Sequence, residues 1–111
     1  MIRLTVLYNL QPDVDEEEFL RWRLTDHQAE NMSMPGVIRS DFARIDRSWP
    51  EGFRPPYRFM TTADWPDMES FQAAFYDPAF QAGLRENLKM LDEPVFLISE
   101  ILIHETKEDM L

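Results

Sequence analysis

The chain has 111 residues, enough for a single domain over residues 1–111, and 44% of them are hydrophobic, so a core can form without disulfides. It contains no cysteine, which excludes disulfides, thiolate metal sites and cysteine nucleophiles. Its net charge of −10 is opposite in sign to the basic surface that nucleic acids and anionic membranes require, so neither is an expected partner.

The N-terminal segment predicts a strand over residues 2–9, because apolar side chains alternate along it from Ile2 to Tyr8. The same segment, "MIRLTVLYNL", does not have the pattern of a signal peptide. No apolar run in the chain approaches the roughly 20 residues needed to span a membrane. We therefore expect a cytoplasmic protein.

The next segment predicts one helix that begins at Asp15, a good N-cap, and ends near Met34, before the Pro-Gly pair at 35–36. Three glutamates follow the cap and suit the positive end of the helix dipole. On a straight helix, His27 shares an arc of about 140° with apolar side chains such as Phe19 and Leu24. A histidine is therefore expected on the apolar face, with Trp22 at its flank.

The remaining elements follow in order. A second strand is predicted over 37–46, a Pro-rich loop over 47–56, and a third strand over 57–64. A helix begins at Asp67 and restarts at Asp77, where Pro78 suits a first helical turn, and it stops before Pro94. The last strand, 95–105, is apolar on both faces, so we expect it to be central or to lie in an interface.

The order β–α–β–β–α–β predicts an α+β, ferredoxin-like fold with one four-stranded antiparallel sheet and its helices on one face. The strands present apolar side chains to both faces, which a single helical layer does not cover. An isologous homodimer would cover the second face.

These residues resemble the EthD-like domain family of the dimeric α/β-barrel superfamily over roughly residues 2–105. The resemblance lies in the ring positions Phe19, Trp22 and His27, in "PYRFM" at 56–60, in "MESFQAAF" at 68–75 and in "DEPVFLISE" at 92–100. Position 23, often aromatic in the family, is Arg23 here. The resemblance implies a two-chain barrel with a pocket between sheet and helices in each subunit. The superfamily includes cofactor-free oxygenases, lactone isomerases, polyketide dehydratases, haem enzymes and ligand-binding domains.

His27 is the candidate catalytic residue, because an imidazole can take a proton from an activated carbon or phenol near neutral pH. A substrate that yields a stabilised carbanion needs no cofactor for that step. The alternative is a buried neutral histidine that bonds a backbone carbonyl for structural reasons.

Five further residues are candidates for substrate binding. Tyr8 and Tyr57 can bond a substrate oxygen, or simply fill the core. Arg39 can bind a substrate carboxylate, and Asp41 can reach His27 if the face of the strand that carries Asp41 points inward. The alternative is that Arg39 and Asp41 form a structural ion pair with each other. Trp22, with other rings, can line an aromatic pocket that the loop "SWPEGFRPP" would close.

Other kinds of site have little support. The two histidines, His27 and His104, lie on different elements, and the carboxylates show no ligand spacing, so no metal site is expected. With three glycines there is no phosphate-binding loop, and no cofactor is expected.

The sequence therefore predicts a cofactor-independent lyase, isomerase or cyclase acting on a small aromatic, polyketide-like or lactone compound. The alternative is a non-catalytic ligand-binding or accessory protein that helps a degradation oxygenase. A haem protein with His27 or His104 as ligand is a weaker third hypothesis.

Overall fold

The computed structural model describes residues 1–107, and residues 108–111 of the predicted domain lie outside the described residues. Eight elements follow one another in the order of the predicted fold. They are β1 (Ile2–Leu10), α1 (Glu16–Leu24), α2 (Asp26–Met32), β2 (Arg39–Arg44), β3 (Phe59–Trp65), α3 (Met68–Phe75), α4 (Pro78–Leu88) and β4 (Leu91–Glu100). Within residues 1–107, no helix has the length and apolar character needed to cross a membrane.

The four strands form one sheet in the order β2-β3-β1-β4, and every neighbouring pair is antiparallel. This confirms the predicted ferredoxin-like arrangement. β4 lies at the edge of the sheet and pairs with β1, so of the two places predicted for it the central one was wrong, and a place in an interface stays a prediction. The strand also starts earlier, at Leu91, and ends at Glu100 rather than 105. Its apolar outer side chains are therefore left at an edge of the sheet, where Leu97 is 50% exposed.

The core lies between the sheet and the helices. The alternate residues of β1 from Ile2 to Tyr8 are buried, as the period of a half-buried strand requires. Phe59 and Trp65 of β3 stand on the same face and are fully buried, and Phe71 of α3 packs edge-on against Trp65. The indole Nε1 of Trp65 donates to the Pro35 carbonyl at 3.0 Å, which satisfies the polar atom of this ring.

The helix predicted over residues 15–34 is two helices. Asp15 is the N-cap of α1, as predicted, and its side chain accepts from the Glu17 backbone N–H. Thr25 has non-helical angles (φ −117°, ψ −90°) and separates α1 from α2, while its hydroxyl donates to the Arg21 carbonyl. A threonine hydroxyl bonded to the carbonyl four residues back is a known cause of helix bending. Leu24 is 60% exposed, so its predicted place on the apolar face was wrong.

Candidate functional site

A cavity of about 310 Å³ lies between the inner face of the sheet and the helices. Most of its wall is apolar, which is typical of sites for small organic molecules. The aromatic lining residues are Tyr8, Phe19, Trp22, Trp65, Phe75, Phe80 and Phe96. The other polar lining residues are Arg23, His27, Glu30, Asn31, Thr61 and Asn87. A few polar groups in a ring-lined cavity can orient an aromatic molecule that carries oxygen atoms.

His27 stands in the first turn of α2 and pairs with Glu30, one helical turn further on. The imidazole Nδ1 lies 3.3 Å from a carboxylate oxygen of Glu30. Because a carboxylate only accepts hydrogen bonds, this contact assigns the proton to Nδ1 and leaves the Nε2 lone pair free. The pair thus has the arrangement of a general base oriented by an acid.

The surroundings of His27 favour its neutral form. Burial lowers the pKa of His27 below its usual value near 6.5, and the positive charge of Arg23 acts in the same direction. The hydrogen bond and charge of Glu30 act in the opposite direction and do not outweigh burial. Trp22 stacks on the imidazole with ring centroids 4.3 Å apart and an interplanar angle of 20°. At neutral pH the ring is therefore a free base held in place by two neighbours.

Arg23 is one of the polar lining residues that the sequence prediction did not include among the site residues. It is 2% exposed, and its guanidinium lies 4.3 Å from the centre of the Phe42 ring. One Nη donates to the Gln28 side chain at 2.8 Å and the other donates to the Thr61 hydroxyl at 3.3 Å. The side chain therefore brings a buried positive charge to the cavity wall.

Tyr8 lies beside this group, at the inner face of β1. Its hydroxyl is 3.4 Å from the Thr61 hydroxyl. Burial raises the pKa of Tyr8, although its contacts with Thr61 and Arg23 act against that rise. The phenol is therefore neutral near pH 7 and can donate a hydrogen bond to an oxygen in the cavity.

The structure brings together three of the six predicted site residues, His27, Tyr8 and Trp22. Arg39 and Asp41 lie on the opposite face of the sheet, so the condition for Asp41 to reach His27 is not met. Their side chains form an ion pair, with Arg39 Nε 3.3 Å from Asp41, as the structural alternative predicted. Tyr57 precedes β3 and stands outside the cavity, beside a shallow polar depression.

The loop predicted to close the pocket does not line it. Trp49 is 88% exposed and Phe53 is 69% exposed, and neither contributes to the cavity wall. In the part of the chain from 1 to 107, no group of three or more His, Asp or Glu side chains is arranged to hold a metal ion. His104 is exposed and does not line the cavity.

Two of the missed residues had signals in the sequence. Arg23 falls in the same arc as Phe19 and His27, so its burial could have been predicted from its place on the apolar face. Glu30 stands three residues after His27, a spacing at which helical side chains meet. Thr61 and Asn87 give no such signal, because only the packing of α4 on the sheet brings them to one cavity.

The fold is shared with solved structures of low sequence identity. An EthD family protein from Bacillus halodurans is 24% identical over 92% of this chain and 99% of that chain, with a TM-score of 0.72. A dimeric ferredoxin-like protein of unknown function from Thermobifida fusca is 20% identical over 90% of each chain, with a TM-score of 0.66. A hydroxynitrile lyase from Passiflora edulis is 15% identical over 96% of this chain and 95% of that chain, with a TM-score of 0.71.

These similarities confirm the predicted resemblance to EthD-like proteins at the level of the fold. No curated protein matches the chain. The model of one protein family, described as REDY-like protein HapK, matches residues 2–102, which is nearly the whole length. The chain therefore belongs to the REDY-like HapK family.

Proposed function

We propose that this protein is a cofactor-independent acid–base enzyme, a lyase, isomerase or cyclase that acts on a small aromatic, polyketide-like or lactone compound. The observation that supports this most is the His27–Glu30 pair in a ring-lined cavity. A neutral imidazole with a free Nε2 can remove a proton from a carbon next to a carbonyl or nitrile group. Tyr8 and Arg23 can then stabilise the negative oxygen that forms.

The proposed chemistry fits what the fold is known to support. The structurally similar protein from Passiflora edulis is described as a hydroxynitrile lyase. At 15% identity this likeness concerns the fold alone, so the reaction is proposed here from the residues of this cavity. The roles of Arg39, Asp41 and Tyr57 in binding are not part of the proposal, because none of them lines the cavity.

The proposal can be tested without knowing the natural substrate. Benzoylacetone and mandelonitrile each carry an acidic carbon and an aromatic ring. Each compound is incubated with the protein in D₂O, and proton NMR follows the loss of the carbon-bound proton. For mandelonitrile the same spectra record any cleavage to benzaldehyde and cyanide, in which a base removes the hydroxyl proton and the bond between the carbon and the nitrile breaks. We expect the wild-type protein to accelerate at least one of these reactions over buffer.

The variants decide whether His27 is the base. We expect His27→Gln to reduce the rate by about 10²-fold or more, which is the usual contribution of a general base. The matched control is His104→Gln, which removes an exposed histidine outside the cavity and should leave the rate unchanged. Full activity in His27→Gln would contradict the assigned role. Binding of the compounds without any exchange or cleavage would favour the non-catalytic ligand-binding alternative.

We also propose that the protein is a homodimer that buries the outer face of the sheet. On that face Leu7 of β1 stands opposite Met60 of β3 and Val95 of β4, and Leu97 is half exposed. The helices cover only the other face. An isologous pair of sheets would remove these side chains from water.

Light scattering after size-exclusion chromatography tests the assembly. We expect a mass twice that of the 13.2 kDa chain, and monomers for Leu97→Glu. The control is Leu24→Glu, which adds the same charge at a 60% exposed position on α1. A monomeric wild-type protein would contradict the proposal.

The single domain over 1–111 and the cytoplasmic location stay predictions. Limited proteolysis would test the first, and cell fractionation would test the second.

A further inference from the structure

Within residues 1–107, buried Arg23 has no counter-ion. Both of its bonded partners, the Gln28 amide and the Thr61 hydroxyl, are neutral. Among the salt bridges of residues 1–107, none includes Arg23, although the chain has 21 acidic residues. Removing a charged group from water costs folding free energy unless a partner compensates it. A structural arginine at this position would be expected to have a carboxylate beside it.

The guanidinium also has unused hydrogen-bonding capacity. It has five N–H donors, and the described residues accept from two of its nitrogens. Arg23 lines the cavity, so a bound molecule can approach it. Burial lowers the pKa of Arg23, but an arginine remains protonated at neutral pH. The cavity wall therefore holds a permanent cation with N–H groups left to donate.

Tyr8 and Thr61 extend this donor group. Their hydroxyls lie 3.4 Å apart, and Thr61 also contacts Arg23. In a wall that is otherwise mostly rings, these three side chains form one polar cluster. A planar guanidinium beside a phenol matches the two oxygens of a carboxylate better than it matches a single neutral carbonyl.

We propose that Arg23, Tyr8 and Thr61 form an anion-binding subsite, and that the natural ligand of the cavity is an aromatic carboxylate. This inference deepens the proposed function, because it gives the charge of the molecule on which His27 would act. The ring of the ligand would lie among the aromatic side chains, and its carboxylate would supply the counter-ion that Arg23 lacks. The chain as a whole has a net charge of −10, so the attraction is local to the cavity.

The test compares two ligands of the same shape, one that carries a negative charge and one that is neutral. Naphthalene carboxylate and its neutral carboxamide are titrated into the wild-type protein by isothermal calorimetry at neutral pH. We expect the carboxylate to bind at least about tenfold more tightly than the carboxamide. The preference should persist when salt is raised, because a buried pair is screened less than a surface pair. Equal binding, tighter binding of the carboxamide, or no binding of the carboxylate would overturn the proposal.

Two variants assign the preference to Arg23. In Arg23→Met the carboxylate should lose about tenfold or more in affinity, while the carboxamide should bind as before. The matched control is Arg21→Met, which removes an exposed arginine from the same helix and should keep the preference. A preference that survives in Arg23→Met would overturn the proposal. The wild-type comparison stands by itself if Arg23→Met does not fold.

The outcome is separate from that of the proposed function. A protein that prefers the carboxylate but shows no His27-dependent proton exchange would retain the subsite and lose the catalytic role. Exchange that depends on His27, with no preference for the carboxylate, would retain the catalytic role and remove the subsite.

Discussion

Replacing Arg23 by methionine should separate ligand binding from folding. Methionine is similar in length and fills the space between Phe42 and Thr61 without a charge. If Arg23 is present for a ligand, its removal should harm binding and leave the stability of the empty protein nearly intact. If Arg23 instead supports the structure, the same change should unfold the protein readily.

The structure allows the effect on stability to be worked out. Burial of the guanidinium opposes folding by several kcal/mol, because Arg23 is 2% exposed and no carboxylate of residues 1–107 pairs with it. The two hydrogen bonds from this charged donor each oppose that cost by about 1.5–3 kcal/mol. The contact with Phe42 adds about 0.5–2 kcal/mol. In Arg23→Met these hydrogen bonds and the contact with Phe42 are lost, and burial of the methionine side chain contributes about 1.5–3 kcal/mol instead. We therefore expect the free energy of unfolding to be unchanged or to rise by up to about 2 kcal/mol.

Urea unfolding followed by circular dichroism measures this difference at one fixed protein concentration, since assembly would make stability depend on concentration. Arg21→Met should change the free energy of unfolding by no more than about 0.5 kcal/mol, as is usual for an exposed position. A loss of more than about 3 kcal/mol in Arg23→Met would refute the reasoning, because it would show that the guanidinium contributes more to folding than its burial costs.

Glu30→Gln removes a group that raises the pKa of His27, so the pKa of His27 should fall. In a profile of exchange rate against pH measured by NMR, the loss of rate in acid should therefore move to lower pH. A shift to higher pH would contradict the role of Glu30 as the partner of His27. Burial raises the pKa of Asp64, but its hydrogen bond to Arg3 and the nearby positive charges outweigh this and hold it below its usual value. The wild-type protein should therefore lose stability as pH falls below about 4. The Asp64→Asn variant should lack that acid dependence. Its free energy of unfolding at neutral pH, measured by urea titration, should be about 1–3 kcal/mol lower than that of the wild type. Equal stability of the two proteins would contradict the stabilising role of this buried carboxylate. Gly83 lines the cavity on α4, and a Cβ there meets no heavy atom within 4 Å, so Gly83→Leu should fill the cavity. Binding measured by calorimetry should be lost, while the free energy of unfolding should stay the same or rise by about 1 kcal/mol. Unimpaired binding would contradict the location of the site in this cavity.

The order of the elements was predictable from the sequence because it depends on local patterns. The alternation along β1 and the caps at Asp15, Asp67 and Asp77 are each set by neighbouring residues, and the structure confirms them. The position of β4 was not predictable, because an apolar strand looks the same whether a second strand or a second subunit covers it.

The site was predictable only in part, because it depends on which residues distant elements bring together. His27 and Trp22 were found from their place on the first helical segment, but their stacking depends on the break at Thr25. The alternation of side chains along a strand shows which residues share a face, but it does not show which face points toward the helices. The sequence therefore could not decide whether Arg39 and Asp41 point into the cavity. The structure puts them with Asp64 on the outer face, where Arg39 lies 3.0 Å from that carboxylate.

The break at Thr25 also bears on how this fold can acquire new chemistry. Arg23 and Trp22 belong to α1, which is anchored in the core through Phe19, whereas the catalytic candidate His27 belongs to α2, which has no fully buried residue. Except at Gln28, which accepts a hydrogen bond from Arg23, substitutions in α2 should therefore change folding free energy by only about 0.5 kcal/mol each. A library randomised over residues 26, 27 and 29–32 should keep most members folded while it exchanges the reactive groups above an unchanged ring-lined cavity. Natural substitutions in α2 can act in the same way, so proteins that share the same cavity wall can differ in the reactions they catalyse.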